Sequence, residues 1–221
     1  MTPIRLIVGL GNPGPEHETD RHNAGFWLVE ALARQAGAAW RIESRFHGEL
    51  ARLKIGEHDL LLLKPQTYMN RSGQSVSALA RFYRISVGEM LVAHDELDLA
   101  PGTLRLKRGG GSGGHNGLKD ISAAMGSPDY GRLRIGIGHP RDLYPGREVI
   151  DFVLARPSRA EQQLIDDRTN AALELVPLLV QGHWERAGQK LHTPPPKPAP
   201  PTGSTGGSDA STSSQARPKT T

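Results

Sequence analysis

Short apolar runs and helix-period stretches take turns along most of this chain. Residues 4–8 form an apolar run of strand length. From residue 23 to about 36, Phe26, Leu28, Val29, Leu32 and Ala33 recur on one side of a helix. Residues 50–55 and 59–63 read as a hairpin around Gly56, Glu57 and His58. Helical spacing returns over 70–83, with Val76, Leu79, Ala80 and Tyr83 facing inward. Strands are predicted at 90–93, 103–107 and 133–137, with a short helix at 117–125. Residues 158 to about 180 read as one long helix, with Ser158 as N-cap and Glu161 completing a capping box. Helices alternating with strands imply an α/β fold, and the hairpin makes its sheet mixed. The expectation is a single domain over 1–192, a twisted mixed β-sheet flanked by helices.

The pattern stops near Thr193. Residues 193–221 are rich in Pro, Gly, Ser and Thr and lack apolar periodicity. Such a segment cannot bury enough surface to offset its ordering entropy, so it reads as a disordered tail. The chain's net charge is +4, and Lys197, Arg217 and Lys219 against Asp209 place half of it in the tail. Basic residues of the body therefore matter only where they cluster. The absence of cysteine excludes disulfides and thiolate metal sites and fits a reducing cytoplasm. No secretory signal pattern and no apolar run near 18 residues is present, so neither secretion nor a membrane span is expected.

The stretch IVGLGNPG spells G-x-G-x-x-G after a strand, the pattern of a dinucleotide-binding turn. That turn needs a helix opening at the glycines, where the pyrophosphate sits. Here Pro13, Gly14 and Pro15 lead into a polar run, and helical spacing starts only near Asn23. No acidic residue stands at a second strand's end about 20 positions on. The glycines read instead as a loop at the carboxyl edge of the sheet, with Asn12 at its centre and Arg21-His22-Asn23 at the following helix start. A histidine at a helix N-terminus is expected to stay neutral and able to accept a proton.

Three further loops carry polar groups: KPQTYMN, HDELD and GGGSGGHNG. Loops at strand ends of one sheet can converge. If these do, they gather His22, Asp95, Asn12, Asn70, His115 and Asn116. An Asp–His pair can activate water, the carboxylate orienting the imidazole that takes the proton. No G-x-S-x-G elbow is present, so water is the expected nucleophile. Amide side chains suit a peptide-like substrate or an oxyanion. Plainer roles stay open: His22 at a helix start, Asp95 as a turn cap, each Asn as a turn former. The nine histidines show no H-x-x-x-H or H-E-x-x-H spacing, so no metal and no cofactor is expected. Arg105 and Lys107 share one strand face, with Arg132 and Arg134 on a later strand. Beside a glycine loop and a helix N-terminus, that set favours phosphates of a nucleic acid backbone.

Taken in order, VGLGNPG, RHNAGF, KPQTYMNRSG, HDELDL, GGGSGGHNGLKD and RLRIGIGHP resemble the bacterial peptidyl-tRNA hydrolase family over about residues 3–190. The resemblance implies a monomeric, cytoplasmic, metal-free esterase of one α/β domain. Such an enzyme cleaves the ester between a peptide and the 3′ end of tRNA, freeing tRNA for translation. It implies His22 as catalytic base and Asp95 as its partner. It implies Asn12, Asn70 and Asn116 as substrate-positioning residues, with Tyr68, Met69 and His115 beside them in the cleft. Arg105, Lys107 and one of Arg132 or Arg134 would meet phosphates near the acceptor stem. His17 stands where many relatives carry Tyr; it could stack in the cleft or, when charged, depress the pKa of His22. A non-catalytic RNA-binding protein of the same fold is the alternative.

Overall fold

The computed structural model describes residues 2–192, so the tail from 193 lies outside the described residues. In chain order the strands are β1 (Leu6–Gly9), β2 (Arg41–Glu43), β3 (Gly48–Ile55), β4 (His58–Pro65), β5 (Met90–Glu96), β6 (Leu104–Arg108) and β7 (Gly131–Gly136). The helices are α1 (Ala24–Gln35), α2 (Ser72–Tyr83), α3 (Asn116–Met125), α4 (Pro140–Leu143), α5 (Val149–Val153), α6 (Arg159–Leu173), α7 (Val176–Val180) and α8 (Trp184–His192). All seven strands of the described residues join one sheet in the order β2-β3-β4-β1-β5-β7-β6. The four central strands β4, β1, β5 and β7 run parallel, whereas β2–β3, β3–β4 and β6–β7 pair antiparallel. The expected mixed α/β sheet is thus present.

Strand alternation divides the core in two. Ile7, Leu62, Leu91, Leu106 and Leu133 face a cluster with Leu28 and Leu32 of α1, Ile165 of α6 and Trp184 of α8. Leu6, Val8, Leu63 and Val92 face Val76 and Leu79 of α2 and Leu118 and Ile121 of α3. Both faces being covered, the central strands read as continuous apolar runs.

Two glycines set how closely α1 lies on the sheet. A Cβ on Gly9 would stand 2.3 Å from the carbonyl oxygen of Gly25, and one on Gly25 would stand 2.3 Å from that of Ala93. The amino end of α1 is therefore pressed between β1 and β5. Gly9 of the G-x-G-x-x-G stretch serves backbone packing, and those glycines open no α-helix, only a single 3-10 turn over Pro15–His17.

The structure adds two short helices that the pattern did not mark, α4 and α5, and differs from it in four further places. The helix expected over 158–180 breaks after Leu173; Pro177 fits only in the first turn of a new helix, α7. Helix α8 follows, inconspicuous in sequence because only Trp184, Ala187 and Leu191 are buried among polar neighbours. Edge strand β2 was equally hidden, since its one apolar residue, Ile42, is exposed. Strand β5 runs three residues past 93, which puts His94, Asp95 and Glu96 on the sheet rather than in a loop.

Candidate active site

His22 lies in a single 3-10 turn, Arg21–Asn23, immediately before α1. The close seat of α1 against β5 brings that turn beside the carboxyl end of β5. Asn23 completes the placement: its Oδ1 accepts from the backbone N–H of Asn12 at 2.9 Å, and its Nδ2 donates to the Asn12 carbonyl at 2.9 Å. Nδ1 of His22 is then 2.9 Å from Oδ1 of Asp95.

A second imidazole meets the same oxygen. Nε2 of His115, the residue capping α3, is 2.9 Å from Asp95 Oδ1. The loop bearing His115 arrives by an unexpected route. Because β6 is antiparallel to β7, its last residue, Arg108, pairs with Gly131 at the far end of β7. The glycine loop must run back toward Asp95. Gly110, with φ 96°, and Gly113, with φ 57°, permit that path. The Arg132 guanidinium donates to the carbonyls of Gly110 and Gly111 and holds it down.

Asp95 is buried, which alone would push its carboxyl up. The charges of His22 and His115 and their hydrogen bonds outweigh burial and hold it well below the usual carboxylate range. Burial pushes His22 down, but the Asp95 carboxylate, by charge and hydrogen bond, and the more distant Asp20 carboxylate outweigh it, so the imidazole is raised above 6.5. Helix-start position was expected to keep His22 neutral; the carboxylates decide instead. His94, behind the site, is fully buried and pushed down to about 3, with His115 adding to the effect. Its Nδ1 is 2.7 Å from the Asp95 carbonyl oxygen, and its Nε2 has no partner.

His22, Asp95, His115 and Asn116 line a cavity of about 430 Å³ with Ser112, Gly113, Gly114 and His139, closed on one side by Val149, Ile150 and Val153 of α5. Not every residue singled out in sequence borders it. Asn12 is buried, accepts from the Met69 backbone N–H at 2.8 Å, and lines a second cavity with Asn23, Lys64 and Gln66. Met69 is buried in the core below α3, where its Sδ would lie 2.6 Å from a Cβ on Gly117. Tyr68 and Asn70 are exposed beside it and line neither cavity. His17 pairs with Asp20, Nδ1 to Oδ2 at 2.7 Å.

The basic residues form a two-by-two block, Arg105 opposite Arg134 and Lys107 opposite Arg132. Lys107 is exposed and Arg105 half-buried, whereas Arg132 is buried on the glycine loop and Arg134 is tied to Glu96 at 2.8 Å. Asp20, Asn23 and His94 carry roles that motif reasoning did not assign; His94 follows an apolar strand run directly, a signal of burial.

One ligand atom from each of His22, Asp95 and His115 lies within 4.8 Å of the others, close enough for a metal. The nitrogens, however, both aim at one carboxylate oxygen and are spent on hydrogen bonds to it. An imidazole oriented by a carboxylate beside a cavity at the edge of an α/β sheet is an arrangement able to take a proton from water.

The comparisons with known proteins make that chemistry specific. Residues 6–199 match the family model described as peptidyl-tRNA hydrolase. A peptidyl-tRNA hydrolase of Polynucleobacter asymbioticus is 57% identical over 192 residues, 86% of this chain and 98% of that protein. A crystal structure of peptidyl-tRNA hydrolase with N-propanol superposes with a TM-score of 0.82 at 49% identity, covering 88% of this chain and 97% of the other. That of the Acinetobacter baumannii peptidyl-tRNA hydrolase at 1.00 Å resolution gives 0.81 at 50% identity, covering 86% and 95%. The chain belongs to the peptidyl-tRNA hydrolase family.

Proposed function

We propose that His22, oriented by Asp95, is the general base of this enzyme. The activity is that of the family: hydrolysis of the ester joining peptide to tRNA in peptidyl-tRNA, which returns tRNA to translation. The observation that carries the assignment to residues is the 2.9 Å contact between His22 Nδ1 and Asp95. With that proton held by the carboxylate, Nε2 is the bare nitrogen, and His22 lines the cavity. It removes a proton from water, and the hydroxide attacks the ester carbonyl. Asn116 and the backbone N–H groups of Gly113 and Gly114 border the same space and offer donors to the tetrahedral oxyanion. Asn12, with its Oδ1 committed to Met69, has its Nδ2 left to bind the peptide portion. Lys107 and Arg105 meet phosphates near the acceptor stem. The protein works as a metal-free monomer in the cytoplasm; for the membrane, no helix of the described residues is long and apolar enough to cross one.

The test is release of N-acetyl-aminoacyl groups from tRNA in EDTA. Wild type should turn over, and His22→Ala should lose on the order of 10²–10⁴ in kcat while still binding tRNA. Undiminished turnover by His22→Ala removes it as the base; loss of wild-type activity in EDTA removes the metal-free mechanism.

A further inference from the structure

His115 sits between two partners that fix its proton. Its Nδ1 is the N-cap acceptor of α3, facing the backbone N–H groups of Gly117 at 3.2 Å and Leu118 at 3.4 Å. A proton on Nδ1 would collide with those donors. It must stand on Nε2, which is 2.9 Å from Asp95 Oδ1 and donates to it. That oxygen therefore receives two N–H donors, one from His115 and one from His22.

We propose that His115 is a positioning residue for the reaction: α3 fixes its tautomer, and its Nε2–H, by occupying the shared Asp95 oxygen, sets the orientation and basicity of His22. The inference rests on His22 being the base and goes beyond it, because the resemblance gave His115 only a place in the substrate cleft. Two donors on one oxygen pin the carboxylate against rotation. They also divide its charge, so His22 feels less of it than it would alone. His94 backs the arrangement as a neutral wall. Its ring stands edge-on to His115 at 5.0 Å, and its low pKa keeps a cation out of the cluster.

Other groups face His22 as well. Asp20, paired with His17, approaches from the preceding loop, while His94 of β5 stands against the His115 ring. Across the cavity lie His139, Asp98 and Glu96, the last held by Arg134, while Arg132 acts on His94 from β7. None of them donates to Asp95 Oδ1 as His115 does.

Two substitutions separate capping from donation. His115→Asn puts an acceptor near the Nδ1 position and keeps the cap but cannot reach Asp95. His115→Gln places an amide N–H near the Nε2 position and keeps the donation but weakens the cap. Without the donation, Asp95 acts on His22 alone, so the acid limb of kcat/KM in His115→Asn should move up by about half a pH unit or more. His115→Gln should keep the wild-type limb at a lower melting temperature. An unmoved limb in His115→Asn, or equal shifts in both variants, overturns the proposal. Ring ¹⁵N NMR of the wild-type protein reads the tautomer without any variant or activity. A protonated Nε2 on His115 supports the proposal and a protonated Nδ1 overturns it. The base assignment itself fails or stands separately, on His22→Ala.

Discussion

Arg21, buried, and His22, half-buried, are neighbours in one 3-10 turn and both face a carboxylate, yet their nitrogens are used in opposite ways. Arg21 has nearly all its donors spent. Nη1 donates to the carbonyls of Phe152, Ala155 and Arg156 at 3.0–3.3 Å, Nη2 donates to Glu161 at 3.0 Å, and the guanidinium lies over the Phe152 ring at 4.1 Å. Only its Nε lacks an acceptor. His22 has one nitrogen spent on Asp95 and the other left for the cavity. A closed network fixes structure, because breaking it strands buried polar groups. A network left open by one nitrogen, beside space for a substrate, is where chemistry can happen. The first supports the second: Arg21 anchors α5 and the loop into α6, and α5 forms one wall of the cavity.

The most damaging way to break that contrast is Arg21→Met. It strands three carbonyls and one side of Glu161, so unfolding free energy should fall by about 3 kcal/mol. Urea melts check the loss, and kcat at temperatures where the variant stays folded should drop far less than in His22→Ala. Equal losses of kcat in the two variants would mean that Arg21 is part of the chemistry.

Acidity sharpens the same comparison with a smaller effect. A raised His22 pKa means that the proposed base is neutral only above its folded value, so the acid limb of kcat/KM should have its midpoint above 6.5. Stability has the opposite sign. The folded protein holds the His22 proton more tightly than the unfolded chain, so this contribution is complete below 6.5 and is lost as pH rises through the folded pKa. Activity should rise across the same window in which this increment of stability fades. Parallel rate profiles and melts over pH 5–8 read both. A rate midpoint below 6.5 would show that burial, not Asp95, governs His22.

How far the sequence disclosed this depends on distance along the chain. The α/β alternation and the mixed sheet were legible because they arise from local periodicity. His22 and Asp95 stand 73 residues apart. Placement at strand ends and the family motifs, not any spacing, suggested that they meet. The partners of Arg21 lie 131–140 residues away, and no local pattern carries that information. Arg132 shows a different limit. The sequence set it on a later strand, and the register pairs it with Lys107, but a strand pattern cannot tell a free guanidinium from one consumed by a returning glycine loop. Asn12 is similar: the loop was evident, while its buried bond to Met69 belongs to the tertiary fold.

The smallest effect comes from the rim of the closed network. Ser158 caps α6, its Oγ accepting from the Glu161 backbone N–H at 3.3 Å, while Glu161 Oε2 accepts from the Ser158 backbone N–H at 2.6 Å. Ser158→Ala removes the first bond and leaves the second, so Glu161 stays in place for Arg21. The expected loss is that of one N-cap, about 1 kcal/mol, with kcat and the acid limb unchanged. Thermal melts and one rate profile decide it. A shifted acid limb would mean that the Arg21–Glu161 network reaches His22 electrically as well as mechanically, and the division between closed and open networks would have to be redrawn at Arg21.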